Sequence, residues 1–104
     1  MKMNMNKIMQ QVQEAQKKLQ DELNAMRITA GSGGGMVEVT LDGMKQMVSI
    51  KIDPQAVNPE DVEMLQDLIV AAYNEAYRRA EEEASQKMSA LTGGLKIPGM
   101  GNLF

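Results

Sequence analysis

From Met5 to Met26 the apolar residues Met5, Ile8, Val12, Ala15, Leu19, Leu23 and Met26 recur in steps of three and four, with Gln, Lys and Glu between them. Positions three and four apart share one face of an α-helix, so the spacing predicts an amphipathic helix over 5–26. Its apolar stripe is narrow, as in a coiled-coil seam, and has to be buried against something. Gln10, Gln11, Gln13, Gln16 and Gln20 make the opposite face polar without giving it strong charge.

After Met26 the period changes. Ile28 and Ala30 flank Thr29, Val37, Val39 and Leu41 alternate with Glu38, Thr40 and Asp42, and Val48, Ile50 and Ile52 alternate with Ser49 and Lys51. Alternation sends successive side chains to opposite faces of a strand. Three strands are expected, over 27–31, 36–42 and 44–53, forming an antiparallel meander that is apolar on one face and polar on the other. The cluster Gly31, Ser32, Gly33, Gly34 and Gly35 reads as a flexible hairpin loop. Asp42-Gly43 is the dipeptide of tight hairpin turns, because both positions tolerate positive φ.

Asp53-Pro54 ends the third strand. Asn58-Pro59-Glu60-Asp61 then has the form of a helix start, with an N-cap, proline at the first helical position and acids favoured by the macrodipole. Apolar residues continue at helical spacing from Val62 to Leu91, which predicts a second helix over 58–92. Such a helix reaches about 50 Å, against roughly 25–30 Å for a compact domain of this size, so its distal half must protrude or break. Residues 93–104, with Pro98, Gly99 and Gly101, lack periodicity and read as a flexible tail. The fold class expected is α+β in one domain over 1–92: helix, three-stranded meander, long helix.

Composition adds a need for a partner. Among 104 residues only Tyr73, Tyr77 and Phe104 are aromatic, so Met, Leu, Ile, Val and Ala must fill a thin core, and a second chain is the usual source of further burial. There is no His and no Cys, which removes the commonest general base, the thiol nucleophile and the soft metal ligands. The expectation is a chain that binds rather than catalyses, with no cofactor and no metal. Residues 1–9 are interrupted by Lys2, Asn4, Asn6 and Lys7, unlike a secretory leader, and no run approaches the roughly 20 apolar residues of a membrane span. A soluble cytoplasmic protein without membrane contact is expected.

Net charge is −3, which taken alone opposes binding to phosphate. The distribution is uneven. Residues 1–27 carry Lys2, Lys7, Lys17, Lys18 and Arg27 against Glu14, Asp21 and Glu22, whereas residues 58–92 carry eight acids against Arg78, Arg79 and Lys87.

Each conspicuous feature also has a plain reading. A phosphate-cradling loop needs Lys and Ser or Thr after its last glycine, and here Met36 and Val37 follow Gly35. The many Met residues could line a thioether site or an adaptable groove, but flexible packing is their ordinary role. Glu81, Glu82 and Glu83 are successive helical residues that point in three directions and cannot converge on one ion. Lys17-Lys18 and Arg78-Arg79 fit surface solubilisation with local pairing, for example Glu75 with Arg79 or Glu83 with Lys87, or else contact with nucleic acid.

The sequence resembles the YbaB/EbfC family of bacterial nucleoid-associated proteins from Met3 to Pro98. The resemblance is carried by Ile8-Met9-Gln10-Gln11-Val12-Gln13, by Met36-Val37-Glu38-Val39-Thr40-Leu41-Asp42-Gly43, by Val48-Ser49-Ile50-Lys51-Ile52-Asp53-Pro54, and most specifically by Glu63-Met64-Leu65-Gln66-Asp67-Leu68-Ile69-Val70-Ala71-Ala72-Tyr73-Asn74-Glu75-Ala76. It implies a homodimer in which two three-stranded sheets meet at the centre and helices project like the arms of tweezers around duplex DNA. Candidate DNA contacts are then Lys2, Lys7, Lys17 and Lys18 on the first helix and Arg78, Arg79 and Lys87 on the second. The function expected is that of a nucleoid protein of the cytoplasm that binds duplex DNA with little sequence selectivity and organises the chromosome or modulates gene expression. The acidic second helix supports an alternative, a protein-interaction module whose arms hold a replication or recombination component.

Overall fold

The computed structural model describes residues 4–92, with side chains up to residue 90. The elements run α1 (Met5–Ala25), β1 (Ile28–Ser32), β2 (Val37–Leu41), β3 (Met47–Ile52), a short 3-10 turn (Pro54–Ala56) and α2 (Val62–Thr92). The expected tail over 93–104 lies outside the described residues. The strands form one antiparallel sheet in the order β1-β2-β3, the meander expected from the alternation.

The core is the contact between this sheet and α2. Ile28 and Ala30 of β1 and Val37, Val39 and Leu41 of β2 are buried on one face, while Thr29, Glu38 and Thr40 point away. Ala72, Ala76 and Ala80 of α2, four residues apart and hence on one stripe, are fully buried against them. Their small side chains let the helix backbone lie close to the strands. Leu65, Leu68, Ile69 and Tyr73 pack around the edges of this contact.

α2 lies over β1 and β2 from end to end. Near its start the Leu68 carbonyl accepts a 2.6 Å hydrogen bond from the Ser32 hydroxyl, and further along the Thr29 carbonyl accepts one of 3.1 Å from the Arg79 guanidinium. The helix is unbroken, so of the two outcomes expected from its length it protrudes: beyond Glu81 it continues for a further eleven residues, about 16 Å. The molecule is accordingly elongated, 74 × 25 × 16 Å, with a radius of gyration of 19.5 Å. A compact chain of this length has about 13 Å.

Two local readings are corrected. Helix α2 begins at Val62 rather than at Asn58: Asn58 Oδ1 accepts from the Glu60 amide at 3.0 Å and closes a separate turn, and Asp61 Oδ1 caps the helix by accepting from the Met64 amide at 3.2 Å. Asp42-Gly43 is not a two-residue turn either. The β2–β3 connection is the five-residue loop Asp42–Gln46, in which buried Asp42 accepts from the Met44 and Gln46 amides at 2.8 and 3.0 Å. Its positive φ falls on Lys45. The glycine cluster does form a hairpin turn, with Gly33, Gly34 and Gly35 all at positive φ.

Neither α1 nor β3 is covered. α1 starts on an Asn4 cap and none of its residues is buried. Met5, Ile8, Met9 and Val12 stay exposed along its stripe. β3 continues the apolar face beyond the footprint of α2, so that Ile50, paired with fully buried Val39, is 39% exposed.

Candidate nucleic-acid interface

α1 and the outer part of α2 leave the body at the same end of the sheet. The chain passes from α1 directly into Ile28, which pairs with Leu41 at that end, and α2 passes over the Asp42–Gln46 loop at Glu81. Chain length dictates the reach of each. From Leu23 back to Met5 α1 extends about 27 Å, and nothing in the sheet is long enough to bury it.

The last turn of α1 is tied down by its own carbonyls. The Leu23 carbonyl accepts from the Gly43 amide at 2.8 Å, and the Arg27 guanidinium donates to the Asn24 and Met26 carbonyls at 2.8 and 2.7 Å. These are the groups a helix end leaves unpaired. Gly43 is needed there for close approach: a Cβ would stand 2.7 Å from the Leu23 carbonyl oxygen.

The candidate cations fall into two electrostatic classes. Lys7, Lys17 and Lys18 of α1 are exposed, and among the described residues none forms an ion pair. Lys17 and Lys18 border a shallow depression with Glu14, Asp21 and Glu22. Arg78 and Arg79 of α2 are engaged. Arg78 donates to Glu75 at 2.7 and 3.2 Å and to Glu82 at 3.1 Å, and Arg79 donates to Glu75 at 3.2 Å. The hydrogen bond from Arg78, with Arg79 beside it, holds the Glu75 carboxyl below the usual carboxylate range, and the same contacts raise Arg78 further. The expected Glu75–Arg79 pair is present, whereas Lys87, half-buried on the outer part of α2, forms no ion pair with Glu83 among the described residues. Lys2 lies outside the described residues.

A further cation, Lys45, carries no sequence signal, because it falls within the third strand expected over 44–53, whereas β3 begins at Met47 and Lys45 lies in the loop before it. Its Nζ stands 3.3 Å from Glu81 and 4.9 Å from the centre of the Tyr77 ring. Desolvation opposes the charge, but the Glu81 hydrogen bond and the field of Tyr77 and Glu81 outweigh it and raise the Lys45 pKa. Glu81 and Glu82 are thus spoken for by Lys45 and Arg78. Among the described residues there is no cluster of acidic groups that could hold a metal, and no helix long and apolar enough to cross a membrane.

The chain's similarities fit this arrangement of a small sheet with long polar helices. The sequence profile of the YbaB/EbfC DNA-binding family matches residues 1–95. The chain belongs to that family. A nucleoid-associated protein of Pelotomaculum thermopropionicum is 51% identical over 100 residues, covering 93% of this chain and 95% of that protein. One from Alkaliphilus metalliredigens is 52% identical over 100 residues, covering 93% and 88%. The crystal structure of uncharacterized protein HP0035 from Helicobacter pylori superposes with a TM-score of 0.70 at 25% identity, over 86% of this chain and 98% of that one.

Proposed function

We propose that this protein is a nucleoid-associated, non-catalytic DNA-binding protein of the cytoplasm that acts as a homodimer, with α1 as its main phosphate-contacting element. The observation that carries this reading is the contrast between the helices. α1 is an extended helix with no buried residue and with three lysines, Lys7, Lys17 and Lys18, unpaired among the described residues; the α2 arginines already face two carboxylates. A lysine without an ion-paired carboxylate can take a phosphate and release counterions without breaking a pair, an advantage that Glu14, Asp21 and Glu22 beside Lys17 and Lys18 reduce but do not remove. Amides of the Gln-rich face support these contacts by hydrogen bonding to phosphate and sugar, which positions a protein without reading sequence.

The homodimer rests on uncovered apolar surface. Met47, Val48 and Ile50 of β3 and Met5, Ile8, Met9 and Val12 of α1 are left exposed by a chain whose own core is small. Exposed apolar side chains beside a small core can be covered by a second copy of the chain. Glu22 agrees: one of its carboxylate oxygens is buried without a hydrogen-bond partner among the described residues, a state that calls for a donor from elsewhere. Two copies also double the phosphate contacts made by few lysines.

The test combines light scattering with a gel-shift titration of duplex DNA of several sequences at low salt. A dimer that shifts all of them with similar affinity is expected. A purified dimer that shifts none refutes the reading. The ion-paired α2 supports the second reading, in which the arms hold a replication or recombination protein. Partners that survive nuclease treatment of a lysate favour it, and partners lost on treatment were bridged by DNA.

A further inference from the structure

The Asp42–Gln46 loop touches both projecting helices. Through its backbone Gly43 donates to the Leu23 carbonyl of α1, with Met26 Sδ 2.9 Å from where a Cβ would stand. Through its side chain Lys45 reaches Glu81 and the Tyr77 ring of α2. Between these two contacts the loop is stiffened by Asp42, whose carboxylate accepts two loop amides, and by the hydrogen bonds from the Asp42 amide to the Gln46 carbonyl at 2.9 Å and from the Lys45 amide to the Asp42 carbonyl at 3.1 Å. Lys45 holds φ at 68°, a left-handed conformation uncommon for a lysine. From there its side chain reaches α2.

We propose that this loop is the strut that sets the opening between α1 and the outer part of α2, and that Lys45 is a positioning residue for DNA binding, acting through α2 rather than on phosphate. The part concerning DNA rests on the function proposed above; the strut itself does not. The two contacts differ in kind. The Gly43 contact is backbone to backbone with no room to spare, so it fixes α1 to the loop. The Lys45 contact is an exposed ion pair with a ring beneath it, so it is the adjustable one. Glu81 is where the Lys45 side chain meets α2, and eleven helical residues follow it, over which a change of angle is carried outward.

The chain has no cysteine, so spin labels can be placed cleanly by Gln13→Cys on α1 and Ser85→Cys on α2, with labelled chain diluted in unlabelled chain so that only distances within one copy are read. Lys45→Met keeps the aliphatic stem and removes the charge; Glu81→Gln weakens the same contact from the other side. Both should shift or broaden the label distance distribution. Duplex DNA affinity should fall by roughly threefold to tenfold while the dependence of log K on log salt keeps its slope, because no phosphate contact is lost. Lys45→Arg should restore both affinity and distance, and so should Lys45→Glu combined with Glu81→Lys. An unchanged distance distribution in both single variants overturns the strut. A slope lowered by about 0.9 for each lysine lost overturns the positioning role and makes Lys45 a direct phosphate contact. If the parent protein does not bind DNA at low salt, the functional reading fails, while the label distances still decide the strut.

Discussion

Replacing Lys17 and Lys18 with glutamine measures where phosphate is held. Both side chains are exposed and neither is ion-paired among the described residues, so glutamine keeps the helix and the hydrogen-bonding capacity and removes only charge. On duplex DNA each phosphate contact contributes about 0.9 to the slope of log K against log salt. Two lysines per chain in the proposed homodimer make four contacts, so the slope should fall by about 3.6 if both bind and by about 1.8 if one does. Between roughly 50 and 200 mM salt a change of 3.6 makes the loss of affinity about a hundredfold larger at the low end than at the high end. Arg78→Gln should change the slope far less. To reach a phosphate, Arg78 has to leave Glu75 at 2.7 Å and Glu82 at 3.1 Å, and both carboxylates then stand beside the phosphate and repel it. Fluorescence anisotropy with a labelled duplex across that salt range is the assay, with thermal melts to show that both variants stay folded. An unchanged slope in the lysine variant, together with a fall of about 1.8 for Arg78→Gln, would refute the assignment of phosphate contact to α1.

Gly43→Ala should destabilise the protein by about 2–4 kcal/mol in urea melts, the sum of a lost hydrogen bond and forced displacement at a packed site, because the new Cβ meets the Leu23 carbonyl oxygen at 2.7 Å. Ile50→Lys places a charge on the uncovered face beside β2 and should convert the proposed dimer to monomer in light scattering with little change in the chain's own fold; a persisting dimer would place the interface elsewhere. Because Arg78 lowers the Glu75 pKa, the contribution of that pair is complete above the ordinary carboxylate value and is lost as pH falls through the lowered one. The melting temperatures of the parent and of Glu75→Gln should therefore differ at neutral pH and converge in acid below the carboxylate range.

The meander and both helices were legible because each is written as an unbroken period. Val37, Val39 and Leu41 alternate and are the most deeply buried side chains of the sheet, and Ala72, Ala76 and Ala80 repeat every four residues and meet them. What escaped is set by contacts between elements. Asp42-Gly43 has the composition of a two-residue turn, but Gly43 is there because the end of α1 lies against it, and Asp42 because it holds the loop amides. Asn58 has the form of a helix cap, yet the proline and acid after it close a turn and Asp61 takes the cap. The candidate cations could be named from charge alone. Their availability could not: Arg79 reaches both Glu75 within its own helix and the Thr29 carbonyl fifty residues away, and only the first of these follows from helical spacing. The solvent exposure of β3 was equally hidden, since Ile50 alternates as regularly as Val39 and differs from it only in lying outside the shadow of α2.

The alanine stripe of α2 makes the helix a lever seated on the sheet by its smallest side chains. Its fulcrum is the flat contact of Ala72, Ala76 and Ala80 with the sheet, and from Ala80 to Thr92 the helix runs on for about 18 Å. A single larger residue at Ala80 lifts that side of the seat, and a tilt of about 5° moves the tip by about 1.5 Å. Sequence change in the interior can therefore re-aim the arm without touching any residue on its surface.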